Sequence, residues 1–589
     1  MYMAVLDVVQ SFGGLAWEMQ EVNERDVLTL VQRFGLPEVM ARILSSRGIT
    51  AETAEDFLNP TLKKNLPNPL TLKDMEKAAN RMADSVIHGE AIGLMGDYDV
   101  DGATSTALLR LFLEDLGVTV YTFIPEREEG YGPNAIKMKE FYDKGCRLVA
   151  TLDCGMTAFE PIEVGTNMGL DVIVLDHHDA EKTLPKAYAV VNPKRLDEPT
   201  DHPCRCMAAV GVVFLFVVAL NTVLRSRGFY QGDKSEPNLI RFLDLVAFGT
   251  VCDVMKLQGV NRLFVKAGLN QLKKGENQGL TALMKMAKLD ETPKAYHLGY
   301  ILGPRVNACG RVGHSDLGMQ LLACRDPIHA SALAQQLEDL NLMRRDIEAA
   351  VLLDAMEQAE GKPVSDPFIF VKGEDWHQGV IGIVAGRLKD RYNLPVFALT
   401  IEGDEVKGSS RSVQGVDLGT LVLNAVEQGI LSRGGGHPLA AGFSLKTEKL
   451  NDFYRYLQEN IKTENFKNKA QVLDIDGVLD INGVTVELID KLETLAPFGE
   501  ANPEPCFVIK DVMVKYIKPL KNGHISCALT GRGGGHLNAI AFRVADTELG
   551  NRLMTARDSY FHVAGILKKD VWQGREKLQL QILDMANAL

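Results

Sequence analysis

Near residue 90 the apolar positions of the chain take on a regular rhythm. "AIGLMGD" is an uninterrupted apolar run of strand length, "ATSTALLRLFLEDLG" repeats at helical spacing and stops at Gly117, and "VTVYTFIP" reads as a strand again. "CRLVATLD", "TAFEPIEVGTNMG" and "LDVIVLD" then repeat strand, helix, strand. Alternation of this kind, with strands apolar throughout, predicts an α/β fold built on a doubly wound parallel sheet with helices on both faces. Over about 326–360, Leu333, Leu337, Leu340, Ile347 and Val351 fall at helical spacing. A continuous helix there would span about 50 Å at 1.5 Å per residue, which suits a connector between two lobes. A second mixture of strands ("PFIFVKG", "LPVFALT") and helices follows, ending in "RGGGHPLAAG". From about 465 the runs shorten and turn β-like ("CFVIKDVMVKYIKPL", "HISCALTG", "LNAIAFRV"), as in a small barrel. The "GGGH" at 533–536 reads as a strand-joining turn and no repeat of 434–437. The expected organisation is a helical segment over 1–80 packing on an α/β body over 81–325, a connecting helix over 326–362, a smaller α/β lobe over 363–450, and a barrel over 465–589.

Composition narrows the class. At 589 residues there is room for about three or four domains. Apolar residues at 46% and charged residues at 24% exclude a disordered chain. The opening "MYMAVLDVVQSFGG" carries no basic segment ahead of a sustained apolar stretch, so no signal peptide is expected. The longest apolar run, "AAVGVVFLFVVAL", is thirteen residues against the roughly 20 of a membrane span, so a buried helix and no membrane association are expected. Nine scattered cysteines without a secretion signal read as reduced thiols in the cytoplasm. Cys204 and Cys206 in "DHPCRC" have C-x-C spacing and no second pair, which disfavours structural zinc. The formal charge of −13 at first sight opposes a nucleic-acid partner, yet net charge says little about a local groove, and a metal site itself demands acids.

The acids are where the chemistry concentrates. "DYDVDG" (97–102) puts three aspartates into five residues, Asp153 ends "ATLD", and "VIVLDHH" ends on Asp176, His177 and His178. All fall just past the C-terminal ends of predicted strands, the edge where open α/β sheets bind ligands. Crowded carboxylates raise one another's pKa and persist where a cation neutralises them. The candidate ligands are Asp97, Asp99, Asp101, Asp153, His177 and Asp253, the last from "AFGTVCDVM". In a tight turn Asp99 and Asp101 can each face a different ion with Asp153 bridging. Such an oxygen-rich set with imidazole suits Mn²⁺ or Mg²⁺. Two such ions about 3.5–4 Å apart activate a water and clamp a phosphate. "DYDVDG" also fits the start of a calcium-binding EF-hand loop, but position 108 is Leu where that loop needs Glu.

"GDYDVDGATSTALL", "TLDCGMTAFE", "VIVLDHHDA" and "GTVCDVM" resemble the four motifs of the DHH phosphoesterase family. "PRVNACGRVGH" and "RGGGHPLAAG" resemble stretches of its RecJ branch, the single-strand-specific 5′-to-3′ exonucleases, and so do "ARILSSRGITAETAEDFLNPTLKKNLPNP" and "LETLAPFGEANPEPCFV". The resemblance covers nearly the whole chain. It implies a DHH domain, a long connecting helix, a DHHA1 domain as the smaller lobe, and a terminal OB-like barrel. It also implies hydrolysis by a water activated by two Mn²⁺ or Mg²⁺ ions, releasing 5′-mononucleotides from single-stranded DNA in recombination and repair. Asp97, Asp99, Asp101, Asp153, His177 and Asp253 would hold the ions, His178 would sit near the scissile phosphate, and Asp176 would orient a histidine from behind.

Phosphate-binding candidates are Arg127 and Tyr131 in "EREEGYGPN", Arg305, Asn307, Arg311, His314, Ser410 and Arg411, since arginine offers a bidentate fork to phosphate oxygens. The resemblance places Arg311 near the scissile group and Ser410 with Arg411 in a 5′-phosphate pocket. Gly434, Gly435 and Gly436 would let the backbone approach the strand, with His437 alongside. In the barrel, Lys515, Lys518, Lys521, Arg543, Lys568, Lys569 and Trp572 could form a cationic, stacking groove. Expected partners are single-stranded DNA bearing a 5′-phosphate, a helicase and a single-strand-binding protein, with the chain itself a monomer. Two other readings compete: a DHH phosphodiesterase acting on short oligoribonucleotides or cyclic dinucleotides, and a replication scaffold without catalysis. No G-x₄-G-K-[ST] stretch points to an ATP-driven motor.

Overall fold

The computed structural model describes residues 2–127, 129–130, 132–363, 366–462, 471–556, 559–572 and 575–588. They form two compact units, one of Pro67–Met255 with Ala267–Lys469, the other of Met1–Leu66 with Lys256–Lys266 and Ala470–Leu589.

In the first unit the alternating pattern becomes a five-stranded sheet, parallel throughout. Its spatial order is Val120–Phe123, Ile92–Gly96, Leu148–Leu152, Asp171–Leu175, Ala189–Val191. The strands Ile92–Gly96 and Leu148–Leu152 are buried along their whole length, which is why they are apolar without alternation. The chain first steps outward from Ile92–Gly96 to Val120–Phe123 and then returns to its other side. The order in which strands are added therefore reverses between Ile92–Gly96 and Leu148–Leu152, the point at which such sheets open a crevice at their C-terminal edge. The apolar run at 208–220 lies in the helix Ala209–Ser226. That helix is long and apolar enough to cross a bilayer, but most of it is packed inside the unit.

The connecting helix runs from Pro327 to Glu360, 34 residues, started by an Asp326 side chain that accepts from His329 N–H at 2.6 Å. It leads to a second sheet, in order Arg433–His437, Ala440–Lys446, Glu405–Arg411, Val396–Glu402, Ile369–Glu374. Only the last pair is parallel. This lobe runs past residue 450, because Phe453, Tyr456, Leu457 and Ile461 complete its core.

The second unit holds the barrel. Strands Cys506–Pro519, Ile525–Gly531, Gly534–Ala541, Arg575–Asn587 and Phe561–Trp572 pair in that order, and pairing of the first with the last closes the ring. The hairpin between Gly531 and Gly534 turns at 532–533, so only the first residue of the stretch 533–536 lies in the turn and Gly534, Gly535 and His536 open the next strand. Two readings of the N-terminal segment need correcting. Tyr2–Ala4 and Leu15–Gln20 are strands, and the latter pairs in parallel with Gln471–Asp474. The helices that follow bury Val27, Leu30, Met40 and Leu44 in one core with Phe507, Ile509 and Leu529 of the barrel. Their packing partner is thus the barrel, where the sequence suggested the DHH domain. A long-range pairing of this kind leaves no local trace in the chain.

Arg262 ties this unit together. It is buried, with no carboxylate partner among the described residues. Its guanidinium lies 3.8 Å over the Phe57 ring and donates to Phe57 O (2.8 Å), Leu495 O (2.9 Å) and Ala496 O (2.8 Å). Burial, with Arg47 nearby, lowers its pKa to about 10. Arg262→Ala is expected to destabilise the unit by about 3–5 kcal/mol, because the carbonyls of Phe57 and Ala496 lose this donor, Leu495 O keeps only Asn502 Nδ2, and the cover over the Phe57 ring is lost. Arg262→Lys should recover little, since an ammonium cannot fan out to three acceptors. Chemical denaturation of the three proteins checks this, and a loss under about 1 kcal/mol for the alanine variant would contradict it.

Candidate active site

Asp97 follows the strand Ile92–Gly96, Asp153 follows Leu148–Leu152, and Asp176 follows Asp171–Leu175, so three neighbouring strand ends present carboxylates to one edge. Asp253 arrives from the C-terminal end of the helix Leu243–Cys252. Asp153 holds φ at 60°, a left-handed conformation few side chains tolerate, while its N–H donates to Leu175 O at 3.0 Å. Asp99 caps the helix Val100–Asp115, accepting from Asp101 N–H at 2.9 Å and Gly102 N–H at 3.1 Å. Asp101 in turn accepts from Ala209 N–H (2.7 Å) and Val210 N–H (2.9 Å), the first turn of the apolar helix Ala209–Ser226. That helix aims its dipole at a carboxylate. Two close approaches depend on glycine. A Cβ on Gly249 would stand 2.9 Å from Asp101 Oδ1, and one on Gly310 would stand 2.8 Å from Tyr98 O.

Seven side chains converge in three overlapping groups: Asp97, Asp99 and Asp153; Asp153, His177 and His178; Asp101, His177 and Asp253. Within each group one ligand atom per residue lies within 4.8 Å of the others. Asp153 and His177 each belong to two groups, and of the two only the Asp153 carboxylate has the donor oxygens to bridge, since a neutral imidazole offers one lone pair. His177 Nε2 stands 3.3 Å from Asp153 Oδ1, 3.4 Å from Asp253 Oδ2 and 3.8 Å from Asp101 Oδ2. Burial, reinforced by the neighbouring carboxylates, raises Asp97 and Asp153 well above the usual carboxylate range, Asp101 to about 7 and Asp253 to about 9. Among the described residues the buried atoms Asp97 Oδ1 and Asp253 Oδ2 accept no hydrogen bond. Oxygen donors this close, two of them without a proton donor, fit a divalent cation.

The adjacent histidines are driven apart electrostatically. Burial, and then the charge on His178, lowers His177 to about 4, leaving a neutral ring with a lone pair to offer. Burial would lower His178 too, but its hydrogen bond to Asp176 and the nearby carboxylates outweigh that and raise it to about 9. Asp176 Oδ1 accepts from His178 Nδ1 (2.8 Å) and from the N–H groups of His177 (2.7 Å) and His178 (3.1 Å), while Oδ2 accepts from Met156 N–H (3.0 Å). Those bonds overcome its burial and hold Asp176 at about 2. The histidine whose ring Asp176 orients is His178.

The predicted phosphate ligands divide. Arg127 donates to Gly310 O at 3.0 Å and covers the Tyr98 ring at 4.2 Å. Arg311 donates to Gly379 O at 2.9 Å, and Arg411 to Ser410 O at 2.9 Å. None of the three pairs with a carboxylate among the described residues. Burial, and then repulsion from Arg127, Arg344 and Arg411, lowers Arg311 to about 10. Arg305 instead forms an ion pair with Glu338 of the connecting helix at 2.5 Å. His314 is exposed, 3.4 Å from Glu126, and Asn307 is half-buried on the helix Gly303–Val312. Ser410 turns away from the face of Arg411. It is buried and donates to Ala441 O at 3.1 Å, while Ser409 Oγ faces Arg411 Nη1 at 3.4 Å. Side chains alternate along the strand Glu405–Arg411, so the period of two alone selects Ser409 and not Ser410. Gly434, Gly435, Gly436 and His437 lie on the edge strand Arg433–His437. A Cβ on Gly434 would stand 2.5 Å from Val422, whereas Gly435 faces open space and His437 is exposed. Tyr131 and the side chain of Trp572 lie outside the described residues. In the barrel Lys568 and Lys569 pair with Glu504 and Asp490. His202 next to Cys204 is engaged by Cys204 N–H at 3.1 Å and Thr71 Oγ1 at 3.2 Å, and Cys206 is exposed.

Family models describe the same layout: the DHH family N-terminal domain matches residues 91–250, the DHHA1 domain 365–463, and the RecJ OB domain 475–584. The single-stranded-DNA-specific exonuclease RecJ of Escherichia coli K12 is 34% identical over 87% of this chain and 90% of its own length. The chain belongs to the RecJ family. The family's protein of the same name from Bacillus subtilis 168 is 32% identical over 97% of this chain and 71% of its own. Among solved structures, RecJ from Thermus thermophilus in complex with Mn²⁺ superposes with a TM-score of 0.82 at 28% identity, covering 97% of this chain and 80% of that one. The Mg²⁺ complex of the same protein gives a TM-score of 0.75 at 27% identity, covering 97% of this chain and 78% of that one.

The raised groups set a pH dependence. Without metal, Asp101, Asp253 and His178 all titrate above their unfolded values, so from about pH 4, where an unfolded aspartate titrates, up to about pH 9 the folded state holds extra protons and loses stability as pH rises. A divalent ion needs those carboxylates deprotonated. Its stabilising effect is therefore expected to grow over the same window. The rise in melting temperature on adding Mn²⁺ should be larger at about pH 8 than at about pH 6.5. An equal or smaller rise at the higher pH would show that these carboxylates are not the binding groups.

Proposed function

We propose that this chain is a metal-dependent 5′-to-3′ exonuclease that degrades single-stranded DNA to 5′-mononucleotides in recombination and repair. The observation that carries the reading is the convergence of Asp97, Asp99, Asp101, Asp153, Asp253 and a neutral His177 at one sheet edge, in a chain that spans nine-tenths of an exonuclease relative. These six residues would hold two Mn²⁺ or Mg²⁺ ions. Each Asp101 oxygen that accepts one backbone N–H keeps a second lone pair, so capping a helix and holding a cation are compatible. When bound, the ions supply Lewis acidity for an attacking water and neutralise charge on the phosphodiester.

The side chains divide the remaining work. His178 is protonated at neutral pH and gives its Nδ1–H to Asp176, so its Nε2–H is the donor offered to the scissile phosphate. Asp176 stays ionised and fixes that ring orientation. Arg311 and Arg127, held by backbone carbonyls and not cancelled by acids, contact the phosphate charge. Arg411 with Ser409 forms the 5′-phosphate pocket that sets polarity. The barrel gives the strand a cationic surface through Lys515, Lys518 and Lys521. A phosphodiesterase of short oligonucleotides would leave that barrel without a role, and a scaffold would have no use for a full set of buried acids. A helicase and a single-strand-binding protein are the protein partners of this activity, and the chain works as a cytoplasmic monomer.

Asp153→Ala is expected to lower the rate of mononucleotide release by more than the roughly 10–100-fold typical of an outer-shell residue, while binding of single-stranded DNA stays measurable. Timed product sizing with end-labelled strands and Mn²⁺ reads this, and retention of most activity would mean the site is misassigned. Arg411→Ala should cut the preference for a 5′-phosphate over a 5′-hydroxyl by about tenfold or more, the worth of one charged hydrogen bond. Equal slowing on both substrate ends would remove Arg411 from the pocket.

A further inference from the structure

We infer that Tyr296 and Tyr300 form a stacking platform for bases of the single strand, beside the part of the site that carries Asp253; this rests on the exonuclease reading above. The two side chains are 60% and 75% exposed, yet they are ordered against each other, with ring centroids 5.2 Å apart and planes at 26°. One outer face of the pair is therefore open to a third flat ring. Large aromatic rings are rarely left this bare on a surface without a partner to cover them.

Their placement ties them to the chemistry. Tyr296 directly precedes, and Tyr300 lies within, the π-helical turn His297–Leu302, which runs into the helix Gly303–Val312 bearing Asn307 and Arg311. Single π-turns disturb the regular backbone ladder and recur at functional sites. The same turn is clamped to the helix that ends at Asp253. Cys252 Sγ donates to Leu298 O at 3.4 Å, and a Cβ on Gly303 would stand 2.6 Å from Cys252 Sγ. The next residue after Asp253, Val254, is 65% exposed and held at φ 56°. A β-branched residue adopts that conformation only when its surroundings impose it, and such strain gathers at ligand sites.

Two stacked rings and a strained, exposed aliphatic side chain thus sit on segments packed against the end of the carboxylate cluster. Their chemistry is apolar, flat and indifferent to hydrogen-bonding pattern. That suits the faces of unpaired bases, which stack on aromatic side chains whatever their sequence. A protein partner would also favour exposed aromatics, but continuity with the metal-binding carboxylates favours the substrate. A paired duplex hides its base faces, so the platform would also help select single strands.

Binding separates this proposal from catalysis. Anisotropy of a labelled single-stranded oligonucleotide, measured with the full chain in EDTA, compares wild type, the double variant Tyr296→Ala/Tyr300→Ala and the double variant Tyr296→Phe/Tyr300→Phe. The alanine pair should weaken binding about tenfold and the phenylalanine pair should restore it. On a strand of the same length made of abasic residues, all three proteins should bind alike. Unchanged affinity in the alanine pair overturns the platform and leaves the tyrosines to a protein partner. An equal loss on the abasic strand, or no rescue by phenylalanine, overturns it as well. Cleavage by wild type with Mn²⁺ is scored separately: its absence would sink the exonuclease reading, while the binding difference still decides the platform.

Discussion

Five carboxylates held close together in a largely buried crevice are the constraint on which the rest of this chain depends. Two unit charges 4 Å apart repel by about 4 kcal/mol at an effective dielectric constant of 20, so the cluster opposes folding unless dipoles and cations answer it. The fold supplies the dipoles. Asp99 faces the start of one helix and Asp101 the start of another, and Asp101 is reached by two backbone N–H groups at 2.7 and 2.9 Å. What dipoles leave unanswered is seen in the raised carboxylates and in the buried oxygens of Asp97 and Asp253 that accept nothing. A site built this way has the donor set that a divalent ion takes up.

Next to the acids stands the opposite imbalance. Burial, and then Arg127, Arg344 and Arg411, lower Arg311 to about 10, and Arg127 and Arg311 share Tyr98 with Asp97 and Asp99 as electrostatic neighbours, while Arg344 is answered by Glu348 at 2.5 Å. Each cluster is incomplete on its own. A cation would answer one and a polyanion the other, as the proposed phosphodiester substrate with its metal ions would. The net charge of −13 gave no hint of this, because it sums two local fields of opposite sign. The histidine pair follows the same logic on a smaller scale. Neighbours in sequence, His177 and His178 end at about 4 and about 9 because one is buried beside a positive ring and the other is bonded to an ionised Asp176.

Much of this was legible in the chain, and the reason is locality. Strand and helix periods placed Asp97, Asp153 and Asp176 at strand ends, and a parallel sheet brings such ends together by construction. The connecting helix was visible because 34 residues at helical spacing leave little alternative. The assignments that failed involve faces and distant partners. Ser410 and Ser409 differ by one residue in a strand, which inverts the side chain, so the period of two already sets Ser409 on the face of Arg411, and folding then buries Ser410 against Ala441 O. Arg305 looked like a phosphate donor until folding set Glu338 opposite it.

By itself, then, the sequence determined the α/β alternation, the terminal barrel and the set of acids and histidines that the chemistry requires, since these depend on periodicity and on residue type. Tertiary structure alone decided that residues 1–66 share a core with the barrel, that Asp101 caps a helix more than a hundred residues further on, and which histidine is protonated. Those outcomes arise from burial and from charges brought together across long stretches of chain. No local pattern encodes a distance that exists only after folding.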